Sequence, residues 1–176
     1  CDWSSDVCSS DLCGSPMADS VAPANWYHAR VPQFDIELIH LRMPWWRLAR
    51  TRSEYRADLA AILAQNVDRR LVVCGDFNHD PFHGLAAEVP QASWPGLDGF
   101  VVERPAGEWS FINKQGTGTS RIDHVMHTKS VVVRDVRYEW TYDGVLLAGP
   151  HVPSTTSAAE QPISDHAPLL FDIHLN

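Results

Sequence analysis

Alternation of apolar and polar side chains is clearest over residues 34–41, where Phe34, Ile36, Leu38 and His40 share one face of an expected strand. Pro44 interrupts, and the period then lengthens. Over residues 48–66, Leu48, Tyr55, Leu59, Ile62 and Leu63 make an apolar helical stripe, while Arg50, Arg52, Glu54 and Arg56 can stay wet. A short polar turn leads into the run Leu71-Val72-Val73-Cys74, which reads as a second strand. Strand, helix and strand in that order predict a parallel crossover in a layered α/β domain.

Asp80-Pro81-Phe82 opens an expected short helix over residues 80–89, and residues 90–105 read as mostly loop with a turn at Trp94-Pro95-Gly96. Short strands are expected at 108–112, 121–127, 131–140, 144–148 and 168–175. The last sets Leu169, Phe171, Ile173 and Leu175 against Asp172 and His174. Gly116-Thr117-Gly118-Thr119 is a hairpin connection, too short and ill-placed for a phosphate loop. There is no internal repeat. The second half is therefore sheet-rich, with strands packing face to face under outer helices.

Two N-terminal stretches stand apart. Residues 13–33, rich in Gly, Pro, Ser and Ala, read as a loop or lead-in. Residues 1–12 have no hydrophobic period and no turn logic. They back-translate to a string that resembles a common sequencing-library adapter read in one frame, so they are set aside from fold reasoning. On that reading the chain is a C-terminal piece of something longer, with residues 34–176 forming the domain.

Charge narrows the function classes. The chain has 22 acidic and 14 basic side chains; without Asp2, Asp6 and Asp11 the acidic count is 19. The balance stays mildly acidic and no Lys/Arg block appears, which argues against a broad nucleic-acid footprint but leaves room for a local basic groove. Cys1 and Cys8 belong to the doubtful leader. Cys13 and Cys74 are too few for a disulfide framework or a zinc site, and Cys74 reads as a small buried hydrophobe. No run reaches transmembrane length. Cytoplasmic and secreted settings both fit, and oligomeric state is not legible.

The candidate chemistry sits where apolar runs end. Gly75-Asp76-Phe77-Asn78 follows the 71–74 run, and Asp76 and Asn78, two apart, leave on the same side. Arg121-Ile122-Asp123 opens one later strand and Ser164-Asp165-His166 another. Phosphate-ester cleavage needs a cation to neutralise charge, an aligned nucleophile and donors for phosphoryl oxygens. Asp165 offers hard oxygen ligation suited to Mg²⁺, or Mn²⁺ in its place. His166 can take a proton from water if a carboxylate fixes its tautomer, and Asp123 is the best candidate for that carboxylate. Asn78 can donate to a phosphoryl oxygen, and Asp76 can align the water or join the metal shell.

Plainer readings stand beside these. Asp76 and Asn78 suit turns and caps, 164–166 suits an ordinary polar loop, and Asp123 suits a solvated strand start. His40, on an apolar face, suits a hydrogen-bonded core histidine. His124 with His127, and His79 with His83, lack the partners of a tetrahedral metal site. Trp45-Trp46 beside Arg47 reads as cover for the sheet rather than a stacking platform.

Taken together, His40, Gly75-Asp76-Phe77-Asn78, Ser120-Arg121-Ile122-Asp123-His124 and Ser164-Asp165-His166-Ala167-Pro168 resemble the endonuclease/exonuclease/phosphatase superfamily, in its order, from about Phe34 onward. The resemblance implies an α/β (α+β by some schemes) four-layer α/β/β/α sandwich, truncated at its N-terminus, with the site at one end of the sheets. It implies that His40 contacts the scissile phosphate, that Asp123 pairs with His166 and that Asp165 is a metal ligand. The upstream Asn or Asp ligand and the Gln-Glu ligand of the family have no counterpart here; Asn25 is an isolated asparagine. The implied activity is metal-dependent hydrolysis of a phosphate ester in nucleic acid, an inositol phosphate or a phospholipid headgroup, impaired or absent in this chain and present in its parent. A non-catalytic binding relative and an unstable fragment with unpaired sheet edges are the alternatives.

Overall fold

Two apolar faces of one sheet organise the chain. The computed structural model describes residues 26–43, 49–94, 96–150 and 161–174. The leader 1–12, Cys13, Asn25, Pro44, Trp45, Trp46, Arg47, Leu48 and Leu175 lie outside the described residues. In chain order the elements are β1 (Trp26–Val31), β2 (Ile36–Arg42), α1 (Ala49–Ala64), β3 (Leu71–Asp76), β4 (Gln91–Ala92), β5 (Phe100–Glu103), β6 (Phe111–Ile112), β7 (Thr119–Ser120), β8 (Asp123–Thr128), β9 (Val132–Tyr138), β10 (Thr141–Tyr142), β11 (Val145–Leu146) and β12 (Leu169–His174). A six-stranded sheet runs β1-β2-β3-β8-β5-β4, and β12 pairs with β9 in a second, smaller sheet.

The expected crossover is present: β2 and β3 are parallel neighbours with α1 between them in sequence. Tyr55, Leu59, Ile62 and Leu63, the apolar stripe of α1, are buried against Ile39, Leu41, Leu71, Val73 and Met126 on one face of the sheet. The alternate residues Ile36, Leu38, Val72, Cys74 and Val125 form the opposite face, which packs on Val133, Val136, Leu169, Phe171 and Ile173 of β9 and β12. Helix, sheet and sheet are thus three layers of an α/β sandwich. Among the described residues no helix covers the outer side of β9–β12, and none is long and apolar enough to cross a membrane.

In β9 the apolar positions Val133 and Val136 are three apart, which a regular strand would send to opposite faces. A register shift between Leu170 and Asp172 marks a bulge in the pairing, with Asp135 at φ 53°. The extra residue returns Val136 to the core side.

Several expectations need correction. Residues 26–31, read as lead-in, form β1, paired antiparallel with β2 along its whole length. Residues 80–89 do not form a helix: the Asp80 side chain accepts from Phe82 N at 2.9 Å, and Gly84 at φ 78° bends the chain away. Residues 90–105, read as loop, contain β4 and the sheet strand β5. Residues 144–148 contribute only one arm of a small hairpin, β10–β11. The side of β12 away from β9 borders an open apolar trough of about 570 Å³, walled among the described residues by Phe34, Ile36, Leu38, Phe171 and Ile173.

Candidate active site

Topology brings the polar motifs to one end of the sheets. Because β2 and β3 are parallel, their C-terminal ends coincide; β8 is antiparallel to β3, so its first residue arrives at that same end. Arg42 pairs in register with Asp76, and Asp76 with Asp123. Alternation then places His40, Arg42, Asp76 and Asp123 on the sheet face that looks toward β12.

Gly75 makes the approach to Asp76 possible. Its φ is 132°, and a Cβ there would stand 2.0 Å from the Leu41 carbonyl oxygen, so no other residue fits without moving β2. Beyond it Asp76 is 7% exposed. Asp76 Oδ1 accepts from Asn78 N at 2.8 Å and Oδ2 from Asn78 Nδ2 at 3.1 Å, while Arg42 Nε lies 3.6 Å from Oδ2.

Burial pushes the Asp76 carboxyl up to about 6, and the facing Asp123 adds to this; the Asn78 N–H, His166 and Arg42 oppose it. The folded state therefore holds this proton more tightly than the unfolded state, and stability falls as pH rises from about 4 to about 6. Asp76→Asn is expected to stabilise the chain by about 1–3 kcal/mol at pH 8, with the gain vanishing below about pH 4. Urea unfolding at the two pH values measures it; an equal effect at both would contradict the burial argument.

Asn78 is held by bonds within the chain. Its amide donates to both Asp76 and the Met43 carbonyl, so both N–H groups are engaged. In this arrangement it steadies Asp76 and the end of β2, and one of these bonds must open before it can donate to a phosphoryl oxygen.

His166 and Asp123 meet across 43 residues of sequence: His166 Nδ1 lies 2.9 Å from Asp123 Oδ2. The His166 side chain is 26% exposed and that of Asp123 13%, so the pair is sheltered yet reachable. The hydrogen bond to Asp123 raises the His166 pKa, burial opposes it, and the Asp123, Asp76 and Asp165 carboxylates add to the rise. The Phe111 ring packs on the imidazole at a centroid distance of 5.0 Å. With Nδ1 held by Asp123, Nε2 is the nitrogen left for a substrate or water.

Ser110, fully buried, joins the two halves of this pair. Its Oγ accepts from Ile122 N at 2.9 Å and Asp123 N at 3.0 Å, and its carbonyl accepts from Ala167 N at 2.7 Å. Tyr138 Oη donates to the Asp123 carbonyl at 2.8 Å. Neither residue stood out in sequence, since a lone serine just before a two-residue strand and a tyrosine among apolar strand positions carry no pattern. Arg42 was also missed, although its position two residues after His40 placed it on the same face.

His40 is exposed on β2, in register with Cys74; no hydrogen bond among the described residues joins it to Asp76 or His166. Cys74 itself is a packing residue, its thiol pushed up to about 11 by burial. Asp165 is exposed and lines a cavity of about 270 Å³ with Lys114, Gly149 and Ser164. An exposed carboxylate is the kind of hard-oxygen donor that a divalent cation can take, completing its shell with waters and substrate oxygens, while the Lys114 ammonium in the same cavity opposes one. Among the described residues, the one grouping of three ligand side chains lies elsewhere. It is the exposed set Asp135, Asp172 and His174, at the end of β12 remote from His166.

A family model described as the endonuclease/exonuclease/phosphatase family matches residues 8–166. The chain belongs to that family. Among solved structures, a mannosyl-6-phosphatase from Bacteroides thetaiotaomicron VPI-5482 is 20% identical, with 85% of this chain and 56% of that one covered at a TM-score of 0.53. An endonuclease/exonuclease/phosphatase from Bacteroides vulgatus is 17% identical over 86% of this chain and 54% of its own, at a TM-score of 0.45. A family protein from Bacteroides thetaiotaomicron is 21% identical over 84% and 54%, at 0.47. The chain thus spans little more than half the length of these relatives. The first likeness shows the family's sandwich fold. A search of curated proteins found no match.

Proposed function

We propose that this member of the family hydrolyses a phosphate ester by in-line attack of water, with a divalent cation of the Mg²⁺ type, or Mn²⁺, held at Asp165. The observation that carries the reading is the 2.9 Å bond from His166 to Asp123 at the rim where Asp76 and Asp165 also gather. When bound, the cation neutralises phosphoryl charge and makes water more acidic. His166 Nε2 takes the water proton as the oxygen bonds to phosphorus, and Asp123 stabilises the resulting imidazolium. The P–O ester bond breaks on the far side; the leaving oxygen takes a proton from solvent water and His166 returns its own to solvent, giving the alcohol and phosphate. Asp76, steadied by Asn78 and Arg42, aligns the water, and Arg42 and His40 lie on the face that receives the phosphoryl oxygens.

Hydrolysis of p-nitrophenyl phosphate and bis(p-nitrophenyl) phosphate by the chain is expected to fall about a hundredfold or more in EDTA. Excess Mg²⁺ or Mn²⁺ should restore it. Equal rates with and without the chelator would reject the cation, and no turnover with either metal would reject hydrolysis by this chain.

A further inference from the structure

A second recess of about 570 Å³ begins at Asn78, beside the site, and runs between the 78–83 turn and the 119–122 segment. Its size suits a small-molecule group. Asp80, His83, Glu108, Thr119, Ser120 and Arg121 line it, with Ile122 as its apolar contribution. The Arg121 guanidinium is fixed by donating from Nε to the Glu108 carbonyl at 3.0 Å. His79 also lines it, its pKa lowered first by burial and then by Arg56, against the pull of Asp80.

The described lining therefore sets two carboxylates against one guanidinium. Extra phosphates, as on a nucleic acid or an inositol polyphosphate, would face net negative charge where they need cations. A lipid chain would face hydrogen-bonding groups that it cannot satisfy. Vicinal hydroxyls fit both demands: they donate to Asp80 and Glu108, accept from Arg121, and exchange bonds with Thr119 and Ser120.

We infer that this recess receives the leaving group of the ester, and that the leaving group is a neutral polyhydroxylated one, as in the monophosphate of a sugar or sugar alcohol. The inference rests on the phosphate-ester reading above. The test compares glucose 6-phosphate and sorbitol 6-phosphate with p-nitrophenyl phosphate, a thymidine dinucleotide and inositol hexakisphosphate, using the full chain with Mg²⁺.

KM is expected to be about tenfold lower for the two polyol esters than for the others, the size of one or two well-placed hydrogen bonds. Glu108→Lys should raise the polyol KM about tenfold and lower that of the dinucleotide, and Thr119→Val should raise the polyol KM alone. A lower KM for the dinucleotide or the inositol phosphate, or polyol KM values unmoved in both variants, overturns the inference while ester hydrolysis stands. No turnover of any ester overturns both.

Discussion

Replacing His166 with alanine is expected to lower kcat for a phosphate ester by about 10²–10⁴-fold, the usual contribution of a positioned general base. Folding should survive, because the imidazole is partly exposed and its backbone N–H is held separately by Ser164 Oγ at 3.0 Å. Circular dichroism and urea unfolding separate the two effects. Unchanged turnover would reject the assignment.

The pH profile sharpens this test. A base works only when unprotonated, and the His166 pKa is raised, first by its bond to Asp123. The acid limb of kcat should therefore lie above the ordinary histidine value of about 6.5. In Asp123→Asn the carboxylate is gone, so the limb should move to lower pH even as kcat falls. A limb that stays in place would show that another group titrates.

The largest stability loss is expected at Gly75→Ala. The new methyl would sit 2.0 Å from a backbone oxygen of β2, at a φ of 132° that side chains rarely adopt. Neither atom is the end of a flexible side chain, so relief requires β2 and β3 to part at the centre of the main sheet. A loss of about 3–5 kcal/mol is expected, among the larger effects of single substitutions. Urea unfolding measures it, and a loss under about 1 kcal/mol would mean that the strands separate easily. Turnover should fall with stability, because the displaced strand carries Asp76.

How much was legible in sequence follows from where each signal resides. The four polar motifs could be read because each interrupts or precedes an apolar run, and strand ends are where such interruptions fall. The stripe Tyr55, Leu59, Ile62 and Leu63 was legible because a helix of that length repeats its period several times. β5 was not, since four residues between proline- and glycine-rich stretches offer too little alternation to separate strand from loop. β1 was hidden because its partner β2 supplies the order that its own Trp-Tyr-His-Ala-Arg-Val pattern does not announce. The 80–89 segment misled in the other direction: Asp-Pro is a good helix opening, yet Asp80 spends its side chain on a tight turn. Arg42, Ser110 and Tyr138 act through contacts made in three dimensions. Of these, only Arg42 left a trace, in its spacing from His40.

The staple at Ser110 has a consequence for biosynthesis. The strands that bear Asp76 and Asp123 are translated well before the segment that carries His166, and that segment docks by reaching back to Ser110, Ile112, Leu147, Gly149 and Asp123. A nascent chain can thus fold most of its large sheet while the dyad is still open. On the proposed mechanism, hydrolysis would then begin only once this late segment has reached Asp123.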